Sequence, residues 1–103
     1  MPSDPDLFAA LGDATRLDLV TRLGREGPAS IIALTGGTLL SRQAITRHLY
    51  VLEKAGLVTC ARRGRTTLWS LQKSRLAEAR AALDAISLQW DDAFDRLRRH
   101  VED

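Results

Sequence analysis

Cysteine, histidine and aromatic residues are scarce in this 103-residue chain, which has one Cys, two His and 5% aromatics. The single thiol, Cys60, excludes an internal disulfide framework. One Cys and two His cannot close a zinc site within a monomer, since such a site takes four ligands. No apolar run is long enough for a transmembrane helix. The start, MPSDPDLF, lacks the basic opening and apolar core of a signal peptide. A cytoplasmic location and no membrane partner are the expectation. No glycine-rich phosphate loop follows a strand, and no Ser-His-Asp or Cys-His grouping has supporting context. Asp91-Asp92 reads as a solvated helix face rather than a catalytic pair. The chain is therefore expected not to be an enzyme and to carry no cofactor.

Against these absences stands an ordinary globular composition, 45% hydrophobic and 27% charged. The length suits one domain, residues 1–103. So small a chain buries a limited core, and an oligomer is expected. The net charge of +2 is unevenly placed. Residues 41–65 hold Arg42, Arg47, Lys54, Arg62, Arg63 and Arg65 against Glu53, while the rest of the chain is net negative. Charge concentrated in this way is the electrostatic footprint of a nucleic-acid binder.

Residues 40–57, LSRQAITRHLYVLEKAGL, organise the chain. Ser41 suits a helix N-cap. Ala44, Ile45, Leu49 and Leu52 recur at helical spacing and form one apolar stripe. Gly56 stands where a left-handed C′ residue is wanted, with Leu57 as the apolar partner of that cap. Arg42, Gln43, Thr46 and Arg47 occupy the opposite face. One side is built for burial and the other to touch something polar and anionic, as in the recognition helix of a helix-turn-helix.

Before it, Pro5 follows Asp4 in the arrangement of first helical residue and N-cap. Leu7, Phe8 and Leu11 share one face of a short helix over 5–11, closed by Gly12. Asp13 caps a second helix over 14–23, with Leu17, Val20 and Leu23 inward and Arg16, Asp18 and Arg22 outward. Gly24 and Gly27-Pro28 are expected to end it. Ser30 caps a short third helix with Ile31, Ile32 and Leu34 as its core residues, and Gly36-Gly37 break it. Residues 30–56 thus read as the helix-turn-helix.

Residues 57–71 then switch to β-compatible runs on either side of Arg62-Arg63-Gly64-Arg65, a hairpin with a basic tip. Arg62, Arg63 and Arg65 are placed to hold flanking phosphates or a minor groove. Cys60, on the first strand, is expected to be a small buried residue. Trp69 is expected to pack under the wing.

The last helix, about 74–101, carries Leu76, Leu83, Ile86, Trp90, Phe94, Leu97 and Val101 at steps of seven, three, four, four, three and four. So long an apolar face exceeds what a small domain can cover. It is expected to pack against its copy in a homodimer, with the first helix beside it. Leu7, Phe8, Leu11, Leu83, Ile86, Trp90, Phe94 and Leu97 are the candidate interface. The fold class is mainly α with a small β-hairpin: a winged helix-turn-helix with a long C-terminal dimerisation helix.

The residues also resemble a family. LFAALGDATRLDLVTRL (7–23) is similar to the opening of ArsR/SmtB-type winged-helix repressors, residues 40–58 to their recognition helix, and RRGRTTLWSL (62–71) to their wing. The resemblance implies a homodimeric transcriptional regulator, usually a repressor, on an inverted-repeat operator in double-stranded DNA. It also implies that Ser41, Arg42, Gln43, Thr46, Arg47 and His48 lie at or near the DNA. His48 has a second reading, a packing role within the helix layer.

The chain departs from the family's metal sensors. Residues 29–35 hold no Cys or His, and the last helix offers Asp84, Asp91, Asp92 and Asp95 with His100 as its one His. Soft or borderline metals select thiolate and imidazole. The resemblance is to the non-metal branch, with no metal site and an unidentified inducer. Two alternatives stay open: a winged-helix module binding a protein, and a metal-responsive repressor with an atypical intersubunit site.

Overall fold

Helix α4 (Arg42–Lys54) forms where its ends are satisfied locally. The Ser41 hydroxyl accepts the Ala44 N–H at 3.1 Å. At the other end Gly56, at φ +81°, lets its own N–H reach the Glu53 carbonyl and the Leu57 N–H reach the Leu52 carbonyl, both at 2.9 Å. This is the paired closure of a Schellman motif, and Leu57 is fully buried beside it. Ile45, Leu49 and Leu52 are buried completely, each worth roughly 1.5–3 kcal/mol. Gly56→Ala places an L residue in the left-handed region, at about 1–2 kcal/mol. The added Cβ would stand 3.6 Å from Arg75, an ordinary contact, so the cost is conformational. The thermal midpoint is expected to fall by roughly 5–10 °C; an unchanged midpoint in a thermal melt would contradict this account.

The computed structural model describes residues 4–102; Met1, Pro2, Ser3 and Asp103, including the first residues of the stretch read for a leader, lie outside the described residues. Around α4 stand α1 (Asp4–Leu11), α2 (Ala14–Glu26), α3 (Ile31–Thr35), the hairpin β1 (Val58–Arg63) and β2 (Thr66–Leu71), and α5 (Lys73–Glu102). This is the mainly helical class with one hairpin that the sequence predicts.

Several details differ from the sequence reading. Gly24 does not end α2, which runs to Glu26 and closes at Gly27, φ +87°. A Cβ on Gly24 would lie 3.3 Å from Leu71 Cδ2, so the glycine admits β2 against the helix. Leu19, Val20 and Leu23 are the buried residues of α2, and Leu17 is exposed. On α3 only Leu34 is buried; Ile32 is exposed. Arg16 and Arg22 do not point outward. Arg16 Nε donates to the Ala10 carbonyl at 2.7 Å, and Arg22 donates to the carbonyls of Leu34 (2.8 Å) and Ala33 (3.2 Å). Arg75, from α5, donates through Nε to the Ala55 carbonyl at 3.0 Å. The C-terminal ends of α1, α3 and α4 thus each meet a guanidinium from another segment. That group satisfies carbonyls the helix leaves free and complements the negative end of its dipole.

The hairpin is antiparallel, from Val58 opposite Leu71 to Arg63 opposite Thr66, with Gly64-Arg65 as its two-residue loop. Gly64 takes φ +60°, the requirement of a tight hairpin turn. Trp69 is buried, and its backbone exchanges hydrogen bonds with Ala29 at 2.8 and 3.0 Å. That pairing anchors the wing to the loop before α3.

Helix α5 is 30 residues long, or about 45 Å. It makes the molecule 68 Å in its longest dimension, with a radius of gyration of 18.1 Å against about 13 Å for a compact chain of this size. Ala79 is its one buried residue, and Leu76 packs half-buried on the core. Leu83, Ile86, Trp90, Phe94, Leu97 and Val101 are exposed, from 47% at Ile86 to 75% at Val101. On α1, Phe8 and Leu11 are half-buried, but Leu7 is fully enclosed in the core of its own chain. Leu7 therefore offers no surface to a partner and leaves the candidate interface.

Candidate nucleic-acid interface

Arg42, Gln43, Thr46 and Arg47 line one shallow, open concavity on the outer side of α4. Ser41, Arg42, Gln43 and Arg47 are exposed and Thr46 is half-buried. The Thr46 hydroxyl donates to the Arg42 carbonyl at 2.7 Å, so its oxygen faces the concavity as an acceptor only. Two guanidinium groups and an amide are left with their donors outward.

His48 is half-buried on the inner flank of α4. Its Nδ1 lies 3.3 Å from Arg16 Nη1 and 3.8 Å from the Asp13 carboxylate. Of the two sequence readings of His48, this contact is the packing one: it ties α4 to the corner between α1 and α2. Asp13 caps α2 by accepting the Arg16 N–H at 3.1 Å. That hydrogen bond lowers the Asp13 pKa, assisted by the positive fields of Arg16 and His48 and opposed by partial desolvation. A depressed folded-state pKa adds stability that is complete above the unfolded value, about 3.9, and is lost as pH falls below it. Asp13→Asn keeps a capping side chain and is expected to flatten the stability profile below about pH 4. Parallel acid titrations of both proteins, followed by circular dichroism, check this; identical curves would rule it out.

Arg62, Arg63 and Arg65 are exposed at the distal end of the hairpin. Arg62 and Arg63 belong to β1, and Arg65 to the loop. Arg62 Nε donates across the turn to the Gly64 carbonyl at 3.1 Å. Between helix and wing stands Tyr50, which sequence reasoning missed. It is 58% exposed, and its ring meets Trp69 edge-on at 5.9 Å between centroids. Tyr50 follows Thr46 by four residues and Arg47 by three, so helical spacing alone places it on the polar face.

Cys60 is exposed, not buried. Val58 is the one buried residue of β1, and it is Trp69 of β2, opposite Cys60, that is buried in the core. The thiol lies 3.5 Å from Glu53 Oε2 as donor, and desolvation together with that carboxylate raises its pKa. This is the opposite of what a reactive thiolate needs. Among the described residues no three His, Cys, Asp or Glu side chains gather as a metal group, and no helix is long and apolar enough to cross a membrane.

No family model matches the chain. Individual relatives do. An uncharacterized HTH-type transcriptional regulator of Bacillus subtilis, YuzN, is 40% identical over 65 residues, 57% of this chain and 71% of its own length. The HTH-type transcriptional repressor SmtB of Mycobacterium tuberculosis is 32% identical over 89 residues, 86% of this chain and 64% of its own. Among solved structures, an ArsR-like transcriptional regulator from Rhodococcus sp. RHA1 superposes with a TM-score of 0.80 at 32% identity, covering 93% of this chain and 90% of that one. A buried, doubly capped helix with a polar outer face, a basic wing behind it and a long trailing helix are here joined to relatives that share sequence as well as shape, and the chain belongs to the ArsR/SmtB family of helix-turn-helix transcriptional regulators.

Proposed function

We propose that this chain represses transcription, the role its relative SmtB is named for, and that it does so as a homodimer bound to an inverted-repeat operator. The observation that carries the reading is the concavity of Arg42, Gln43, Thr46 and Arg47 on the exposed side of a helix whose other side is fully buried. Arg and Gln make the bidentate contacts that read guanine and adenine in a major groove. Ser41 stands at the N-terminus of the same helix, where a backbone phosphate fits. Arg62, Arg63 and Arg65 extend the contact to flanking phosphates or the minor groove. Phe8, Leu11, Leu83, Ile86, Trp90, Phe94 and Leu97 form the dimer surface. His48 is engaged with Arg16 and Asp13 and is not assigned to the DNA. Occupying the promoter excludes polymerase, and an inducer that is not a metal releases the dimer by biasing it away from the DNA-competent spacing.

Fluorescence anisotropy with the DNA upstream of the gene, against scrambled DNA, tests this across a salt series. Tight, sequence-dependent binding with a steep salt slope is expected; equal weak binding to both DNAs would turn the reading toward a protein partner. Arg47→Ala is expected to weaken operator binding by about 1–3 kcal/mol with little effect on scrambled DNA. Arg65→Ala is expected to weaken both alike and to reduce the salt slope by about one. An unchanged affinity would remove either residue from the contact set.

A further inference from the structure

Between α1 and the C-terminal end of α4, beside the first turn of α2, lies a pocket of about 580 Å³, the size of a small-molecule site. Ala10 and Ala55, both buried, form its floor, and Ala9 and Val51, both exposed, its walls. Its charged members are Arg16, Lys54 and Asp6. Asp6, Ala9 and Ala10 share one flank of α1, and Phe8, two residues from both Asp6 and Ala10, points to the other. The pocket therefore shares no residue with the proposed dimer surface, and none with the proposed DNA contacts.

Arg16 is half-buried and spans the corner. Its Nε donates to the Ala10 carbonyl at 2.7 Å and its Nη2 to the Ala9 carbonyl at 3.4 Å, while Nη1 lies 3.3 Å from His48 Nδ1 on α4. Asp13 accepts the Arg16 backbone N–H and feels its positive field, but no carboxylate pairs with the guanidinium among the described residues. Each terminal nitrogen carries two N–H groups and so has a further one to offer. Lys54 is exposed and likewise forms no ion pair among the described residues. Two cations and one acid leave the pocket a net charge of +1.

We propose that this pocket binds a small organic carboxylate with an apolar alkyl or aryl body, and that its occupation weakens DNA binding. The proposal rests on the inducible regulator above and gives its inducer a site and a chemical class. The apolar body lies against Ala9, Ala10, Val51 and Ala55, and the carboxylate meets Lys54 and the outer N–H groups of Arg16. One negative charge matches the net charge of the pocket, which a phosphate dianion would exceed. Hydrogen bonds between ions are shorter and stronger than those to carbonyls. The guanidinium is thus drawn from the Ala9 carbonyl, the longest of its bonds, and from His48. His48 follows Arg47 directly, so easing that tie lets the polar face of α4 shift against α1 and α2. A ligand that prefers the released state lowers affinity for DNA.

Isothermal titration calorimetry of the full chain with phenylacetate and octanoate, each against its own amide, tests the site. Both carboxylates are expected to bind with millimolar dissociation constants or tighter, and the amides about tenfold or more weakly. Ala9→Phe fills the pocket from an exposed position. It is expected to abolish carboxylate binding and to leave operator binding as in the parent. Lys54→Gln is expected to weaken the carboxylates and not the amides. Failure of both carboxylates to bind, or binding undiminished in Ala9→Phe, would overturn the site. Operator anisotropy with and without saturating carboxylate then tests the coupling. A fall in parent affinity on the order of tenfold, absent from Ala9→Phe, is expected. Binding without that fall would overturn the role in induction. A parent that never binds operator, yet loses its carboxylate on Ala9→Phe, would overturn the regulator and leave the site standing.

Discussion

Phe94→Asp is expected to convert the protein to monomers and to lower its affinity for operator DNA on the order of a hundredfold or more. Phe94 is 59% exposed on the uncovered stripe and lies outside the buried core. A carboxylate there keeps its water in the monomer and must lose it to form a dimer, so the substitution acts on association and not on folding of the head. In the proposed dimer two heads joined through α5 bind two half-sites with the second contact made intramolecular, and that linkage is worth about 10²–10⁴ in apparent affinity. Sedimentation should show a folded monomer, and anisotropy should show residual binding close to that on scrambled DNA. A variant that stays dimeric with undiminished affinity would remove α5 from the interface.

Leu49→Ala acts on the other face of the machinery. Leu49 is fully enclosed on the buried side of α4, in the turn that follows Arg47 on the outer side. Deleting a buried leucine to alanine costs about 2–5 kcal/mol, a large fraction of the stability of a small domain. The thermal midpoint should drop by about 10 °C or more. DNA binding should be lost at growth temperature yet return on cooling, because no contact to DNA has been removed. Phe94→Asp, by contrast, should fail at every temperature. A midpoint within a degree or two of the parent would contradict the place of Leu49 in the core.

The signals that made α4 readable are local. Its N-cap, its C′ glycine and its two faces all lie within 18 consecutive residues, and helix geometry turns that spacing into position. The hairpin is legible for the same reason, since Gly64 sits between two β-compatible runs. What escaped the sequence is tertiary. Arg16 and Arg22 read as outward charges, because periodicity sends a charge outward. In the fold each closes the end of another helix, and Arg75 does the same for α4. Gly24 reads as a helix stop, and only the approach of Leu71 explains why the helix continues through it. Leu7, Phe8 and Leu11 share a helical face, yet Leu7 alone is drawn wholly into the core. The face of a helix is given by spacing, and the depth to which each residue on it sinks is not. Cys60 errs in the other direction, since beyond Val58 the residues of β1 are all exposed.

Arg75 holds the end of α4 from the first turn of α5, and its guanidinium also reaches Asp4 at 3.8 Å and pairs with Glu78. It is the joint of a lever. From that joint to Val101 the helix runs about 39 Å. A tilt of about 5° between reading head and arm therefore moves the far end by about 3 Å, close to the 3.4 Å rise of a single base step. In the proposed dimer, any signal that loosens or turns this joint by so small an angle would put the two heads out of step with their half-sites by one base pair, without altering a single residue of the proposed DNA contact.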